Sequence, residues 1–509
     1  MRKRQLSAFG SRLPALLLAG AMIAAPAAPV GAQAKQQATK QPSARPQSVA
    51  LDRTKIPPAG KTPVLRVPAW TRTTLSNGAE LIVSQKRDLP LVSVTINFIG
   101  GSNQFEDPAK LGVAALTAQM LSEGTKTRTG DELSDAQQLL GTNITANVGG
   151  ETGSIAFTAL SDKLEPALEL LADMLVNPSF PSDALERRRA QRLVQLTQAK
   201  DQPNSIAANV FSKVVYGDAH PYGRVVTEQT VKAITRDDIA AFHQTYFRPG
   251  RAVVTVVGDV DPARVRATIE RAFAAWQPGG ERPAFTYPAT PDLRPRTIYL
   301  VDKPNAAQSV VSIGIPGPAR DTPDFYAIQV MNTILGGLFQ SRLNHLIREV
   351  RGYSYGVRSR FGFGKGPGPF GAGGDIVTAK TDSALIDFMN ELRGVQGGKP
   401  FTEDEIQQGK ESLIQSLPAR FASVNAIGNA ISEIYVQGLP ETYYQEFAAK
   451  VNAVTSDDLV RVAKKYIDVD RLNIVIVGDR ATIEDPLRKT GIAPIVNLDI
   501  EGKPIPAAP

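Results

Sequence analysis

The segment Val231-Lys-Ala-Ile-Thr-Arg-Asp-Asp-Ile239 returns 220 residues later as Val451-Asn-Ala-Val-Thr-Ser-Asp-Asp-Leu459. The register holds without a gap to Val257-Gly-Asp259 and Val477-Gly-Asp479, with ten of 29 positions identical. One such copy would say little; two in register require a duplicated fold. In each copy Thr235 or Thr455 stands three residues ahead of Asp238 or Asp458, the capping-box arrangement that opens a helix. An amphipathic helix then runs to Tyr246 or Tyr466, and a β-branched strand follows at Ala252–Val257 or Leu472–Val477. A chain of 509 residues has room for two such halves, each with its own core.

The boundaries follow composition. An N-terminal half spans 66–278 and a C-terminal half spans 296–485, joined by a Pro- and Gly-rich linker at 279–295 and followed by an extended tail at 486–509. Strands are expected at Glu80–Gln85 and at Leu91–Ile99, within which Val92–Phe98 alternates apolar and polar residues. Helices are expected at Asp107–Ser122, Asp131–Leu140, Lys163–Leu175, Ser182–Lys200, Asp324–Leu335, Phe339–Val350 and Thr402–Leu417. Strands and helices mix without a βαβ rhythm, so the fold class is α+β. The glycine-rich stretch Phe361–Gly374 lacks the Gly-Lys-Ser/Thr ending of a phosphate loop and reads as a flexible hairpin beside a strand at Ile376–Lys380.

The N-terminus reads as an export signal. Arg2, Lys3, Arg4 and Arg12 flank the apolar run Leu16–Ala25, and Ala32-Gln-Ala34 is a small-x-small cleavage pattern. Residues 1–34 are therefore expected to be a signal peptide directing the chain to the periplasm, and 35–65 a flexible tether. The formal charge is +7 with the leader and, at 53 basic and 50 acidic residues, +3 without it, which gives no support to a nucleic-acid partner. The chain has no cysteine, so disulfides and thiol catalysis are excluded.

The segment Gly112-Val-Ala-Ala-Leu-Thr-Ala-Gln-Met-Leu121 has the frame of a metal-site helix without its donors. It resembles the zinc helix of the insulinase/pitrilysin peptidases, Gly-x-x-His-x-x-Glu-His-x-Leu. The two His positions hold Ala115 and Gln119, the general-base Glu position holds Ala118, and the register of the third ligand, a Glu, falls on Gln195. The resemblance extends to Leu75-Ser-Asn-Gly78, His220-Pro-Tyr-Gly223, Tyr246-Phe-Arg-Pro-Gly250 and Leu335-Gly-Gly-Leu-Phe-Gln-Ser-Arg-Leu343. It implies two homologous α+β halves, clamshell-like, around a peptide chamber. Zinc requires imidazole, thiolate or carboxylate donors, so no metal is expected on this chain. Of the three histidines, His220 reads as a turn residue, His243 as a surface or half-buried structural one and His345 as a solvated helix face.

Arg348 and Tyr355 keep an Arg-x6-Tyr spacing. In the family this pair contacts substrate backbone and the scissile carbonyl; without that frame it would read as a surface Arg and a core Tyr. A guanidinium and a phenol are donors suited to an oxygen that gains negative charge. The resemblance implies a non-catalytic subunit that pairs with a zinc-bearing homologue, as a heterodimer or higher assembly. In such a complex zinc sits in the partner and a peptide is the substrate. The alternative is a peptide-binding or structural scaffold with no part in proteolysis. The stretch Ile144–Ile155 aligns with the family's substrate-pairing edge strand, which would hold an extended peptide by backbone pairing.

Overall fold

The computed structural model describes residues 65–282 and 284–505. The leader at 1–34 and the tether, save Leu65, lie outside them. Two six-stranded mixed sheets form the frame. The first comprises β1 (Trp70–Thr74), β2 (Glu80–Gln85), β3 (Leu91–Ile99), β4 (Thr145–Val148), β5 (Thr152–Leu160) and β6 (Ala252–Gly258), in the order β1-β2-β6-β3-β5-β4. The second comprises β7 (Thr297–Asp302), β8 (Gln308–Pro316), β9 (Ser354–Phe361), β10 (Pro369–Val377), β11 (Asn473–Gly478) and β12 (Ile495–Leu498), in the order β12-β7-β11-β8-β10-β9. From the second position onward the two orders are equivalent, and β6 and β11 each pair in parallel with the first long strand of their half. The duplication is therefore structural as well as sequential, and the fold is α+β in two halves.

The repeated segment forms as its side chains dictate. Both helices, Arg236–Tyr246 and Ser456–Tyr466, open on a capping box in which the Thr hydroxyl accepts from the Asp backbone N–H and the Asp carboxylate accepts from the Thr N–H. The strands that follow, β6 and β11, lie inside their sheets and are almost wholly buried, which is why they read as unbroken apolar runs.

Each half lends a helix to the other. Pro203–Tyr216, from the N-terminal half, packs on β8 and β11, where Ile206, Ala207 and Val210 share a core with Val310, Val475 and Val477. Val424–Gln437, from the C-terminal half, packs on β3 and β6; Ser432 accepts from Asn97 at 2.8 Å, and Asn425 accepts from Thr158 at 2.7 Å. Neither helix is among those expected from sequence.

Other boundaries shift for local reasons. The helix expected at Asp107–Ser122 runs only over Val113–Met120, because Gly112 at φ +104° breaks the chain ahead of it. The helix expected at Phe339–Val350 begins at Arg342 and continues as the wider turns of His345–Val350. The edge strand of the first sheet is only Thr145–Val148; a turn at Gly149–Glu151 leads into β5, which lies one place in from the edge. The expected pairing segment Ile144–Ile155 is therefore a hairpin. The region 486–509 is not simply a tail: the helix Arg480–Lys489 crosses its start, and β12 within it pairs in parallel with β7.

The glycine-rich hairpin is docked rather than free, and its second strand begins at Pro369, ahead of the expected Ile376. Its tip reaches the N-terminal half, where the Glu151 carboxylate accepts from the N–H groups of Lys365 (2.9 Å) and Gly366 (3.3 Å) and from the Tyr222 hydroxyl. Tyr216 donates to the Pro367 carbonyl at 2.8 Å. A β-carbon at Gly366 would stand 2.6 Å from the Tyr287 ring, and one at Gly364 would stand 2.7 Å from the Glu151 carboxylate. Close approach explains these two glycines.

Candidate functional site

The degenerate metal helix is well built. Glu106 reaches over its N-terminus and accepts from the N–H groups of Gly112 (3.0 Å) and Ala114 (2.8 Å). Burial lifts the Glu106 carboxyl above the usual carboxylate range against the pull of those two donors. Ala115 is half-buried and Gln119 exposed, one turn apart on Val113–Met120. Ala118 is 2 % exposed and belongs to the first-half core, so the position of the base holds a packed methyl group.

Gln195 lies on the neighbouring helix Ser182–Ala199, exposed, with its side-chain oxygen accepting from Arg192 at 3.3 Å. Two turns earlier, Arg188 donates to Glu123 at 2.6 Å, and Arg187 donates to the other carboxylate oxygen at 2.6 Å. The Glu123 side chain is 10 % exposed and lies three residues past the end of the degenerate helix. An ion cluster thus ties together the two helices that would carry the metal ligands.

Zinc does not fit these residues. One methyl group and two amides replace the three ligands, a second methyl group replaces the base, and among the described residues no three His, Cys, Asp or Glu side chains form a group able to hold a metal ion. The histidines serve elsewhere. His220 accepts from the Tyr222 N–H at 3.1 Å within a stack of Tyr216, Tyr222 and Tyr287. His243 bonds the Leu175 carbonyl at 2.7 Å, and its burial holds its pKa low. His345 is exposed.

Arg348 and Tyr355 lie in the second half, on either side of a tight reversal. The helical segment His345–Val350 has i→i+5 turns of the kind that recur at functional sites. Gly352, at φ +66°, ends it, with its N–H donating to the Arg348 carbonyl at 3.1 Å, and β9 starts two residues later. The Arg348 guanidinium lies 4.5 Å from the centre of the Phe339 ring and 3.0 Å from the Glu349 carboxylate. A partly exposed pair of this kind contributes little and exchanges readily for another acceptor. Arg342, six residues earlier, is the contrast: 7 % exposed, it is bidentate to Glu405 and also donates to the carbonyls of Lys399 and Pro400. One arginine is committed to structure; the other remains available.

Tyr355 is 89 % exposed although its neighbour Val357, in the same alternation, is buried. The cause is a β-bulge: Ser354 pairs with Ile376 and Val357 with Gly374, so Tyr355 and Gly356 together oppose the single residue Asp375. The Ser354 hydroxyl fixes it, donating to the Asp375 carbonyl at 2.7 Å and accepting from the Gly356 N–H at 3.0 Å. Buried Asn344 joins the parts, accepting from the Val357 N–H at 3.0 Å and donating to the Phe339 carbonyl at 2.7 Å. Sequence reasoning misses Phe339, Asn344 and Ser354 as parts of the site; only the registry of β9 against β10 reveals them. No hydrogen bond or ion pair among the described residues joins Arg348 or Tyr355 to Ala115, Ala118, Gln119 or Gln195.

Comparison with known proteins bears on the fold and on the missing metal site. Residues 81–223 match the family model described as insulinase (peptidase family M16), and residues 233–413 match the peptidase M16 inactive domain. A non-peptidase homolog from Helicobacter pylori is 25 % identical over 406 residues, 79 % of this chain and 92 % of its own length. An uncharacterized zinc protease from Streptomyces coelicolor is 26 % identical over 414 residues, 80 % of this chain and 89 % of its own. The crystal structure of a peptidase M16 inactive domain from Pseudomonas fluorescens superposes with a TM-score of 0.74 at 26 % identity, covering 80 % of this chain and 98 % of that one.

Proposed function

Because the chain belongs to the insulinase (M16) peptidase family and has lost its metal-binding side chains, we propose that it is the non-catalytic subunit of a periplasmic insulinase-like zinc peptidase. In this reading a zinc-bearing homologue supplies the metal and the base, and this chain supplies Arg348 and Tyr355 to the bound peptide. The observation that carries it is the contrast within one molecule. The metal helix is stripped of donors, while the Arg348–Tyr355 reversal is exposed, bulged and braced by Asn344 and Ser354. A fold kept only as a scaffold has no need to hold an 89 % exposed tyrosine one reversal away from a partly exposed guanidinium.

The chemistry asked of the pair is modest and specific. The peptide carbonyl oxygen gains negative charge as its carbon becomes tetrahedral, and preorganised donors need no reorganisation at that moment. Arg348 carries a permanent charge and a planar donor fork; Tyr355 adds a neutral O–H donor. The leader composition at residues 1–34 supports export of the chain to the periplasm.

The test is co-expression with the zinc-bearing homologue and measurement of peptide cleavage. Loss of one such donor costs roughly 100-fold in kcat. R348A is expected to show a loss of that order, R348K a smaller one, and Y355F a loss with KM little changed. Full activity in the R348A/Y355F double variant would remove the assigned role. A stable assembly from the native envelope in which no partner carries the His-x-x-Glu-His helix would favour the scaffold instead.

A further inference from the structure

The helix Pro203–Tyr216 covers only part of the second sheet. On the face away from the C-terminal core it lies over β8 and β11, and the same face of β10 and β9 is left open. Strand alternation and register fix what that open face displays. Gly371 and Gly373 of β10 pair with Gly314 and Ser312 of β8 on one side and with Arg360 and Arg358 of β9 on the other. The result is a groove of about 420 Å³ with a glycine floor, a wall of Asn204, Ala208, Phe211 and Ser212, and a rim of two arginines.

Three features of the groove point to a ligand. The floor admits a backbone at close range at Gly371, where a β-carbon would meet nothing within 4 Å, whereas one on Gly373 would meet the Val311 carbonyl oxygen of β8 at 2.0 Å. Phe211 takes the space that a β-carbon on Gly314 would need, which sets the wall against the floor. Arg358 and Arg360 are exposed and have no ion-pair partner among the described residues, and no acidic residue lines the groove. The nearest acid along β10, Asp375, falls outside the lining.

The duplication supplies an internal control. Val424–Gln437 leaves an equivalent cleft on the first sheet, lined by Ser93, Thr95, Thr145, Thr158, Asn425 and Asn429 among others, with no charged residue. Its rim strand β4 carries Thr145 and Asn147 where β9 carries the two arginines. The fold does not require charge at this place, and only one copy has it.

We propose that this groove binds an extended peptide bearing acidic side chains at alternate positions. Side chains on one face of an extended chain repeat at about 7 Å, as do Arg358 and Arg360 along β9. Two carboxylates so spaced meet two guanidinium forks, while the peptide backbone lies over Gly371. Tyr355 is on the same strand, so a peptide held here leads toward the Arg348–Tyr355 pair. The inference rests on reading the chain as a peptide-binding subunit, but it concerns capture by this chain alone and needs no zinc-bearing partner.

The experiment is fluorescence anisotropy with the purified chain and labelled decapeptides of Glu-x-Glu pattern, beside the matched Gln-x-Gln peptide. The acidic peptide is expected to bind at least about tenfold more tightly, with the difference shrinking as salt rises. R358E/R360E is expected to abolish that preference, and R358A or R360A singly to reduce it; circular dichroism verifies that each variant is folded. Equal binding of the two peptides, or an unchanged preference in R358E/R360E, would overturn the proposal. So would a single-stranded oligonucleotide of equal charge binding more tightly than the acidic peptide. If cleavage by the co-expressed pair depends on Arg348 while the acidic preference is absent, this inference fails and the proposed function stands. If the preference is present while cleavage is indifferent to Arg348, the groove stands and the assigned role of the pair fails.

Discussion

A single hydroxyl decides where Tyr355 points. Ser354 bonds both sides of the bulge, and without it β9 can regain regular pairing and turn the phenol out of place. In S354A a lost buried hydrogen-bond set costs about 1 kcal/mol of stability, a modest change for a domain of this size. Cleavage by the assembled pair is expected to fall by an amount close to that of Y355F, and S354T to recover part of it. Wild-type cleavage in S354A would show that the bulge does not position the tyrosine. The same bulge marks the limit of what local sequence conveys. Arg348 and Tyr355 stand out as candidates through their spacing within a family frame, as do the altered ligand and base positions Ala115, Ala118, Gln119 and Gln195. Ser354 and Asn344 act through strand registry and a tertiary contact, neither of which leaves a mark in local sequence. Phe339 reads in sequence as one more apolar residue near a helix; its 54 % exposure beside the Arg348 guanidinium is visible only in the fold.

Among the elements, the repeated helices are the most legible, because capping boxes and apolar periodicity agree in both copies. The exchanged helices are the least. Pro203–Tyr216 is rich in Val and has no side-chain N-cap hydrogen bond, so its composition favours a strand as much as a helix, and packing on a foreign sheet decides the matter. The second repeated helix is also anchored from its flank. Asp324, at 8 % side-chain exposure, accepts from Arg461 (2.6 Å), Lys465 (2.8 Å) and Tyr466 (2.7 Å) of that helix. Burial alone would raise its pKa; the three donors outweigh burial and hold the carboxyl down at about 2. A depressed carboxylate contributes stability that is present above its unfolded pKa near 3.8 and lost as pH falls through about 2. Screening of the exposed ends of Arg461 and Lys465 limits this to about 1–2 kcal/mol. Urea unfolding of the wild type and D324N is expected to differ by that amount at pH 7 and to converge between about pH 4 and pH 2. A difference that persists unchanged at the acid end of that range would refute the linkage.

For the molecule as a whole, duplication predicts two domains, but the exchange of helices makes them one cooperative body. Ile82, Val253 and Val257 of the first half are fully buried in a cluster shared with the C-terminal half. A fragment of residues 66–278 lacks Val424–Gln437 and would expose that surface. It is therefore expected to aggregate when expressed alone, while the full chain unfolds in one calorimetric transition with equal calorimetric and van't Hoff enthalpies. Two separate transitions, or a soluble folded fragment, would contradict the exchange. The two sheets, the exchanged helices and the docked glycine hairpin preserve a peptidase body around a helix that has no means of holding its ion. Zinc quantification by plasma mass spectrometry on the chain purified from its native source, free of partners, tests that most directly. Zinc far below one equivalent is expected, unchanged by substitution of Gln119 or Gln195. One tightly held equivalent, lost in Q119A or Q195A, would contradict it.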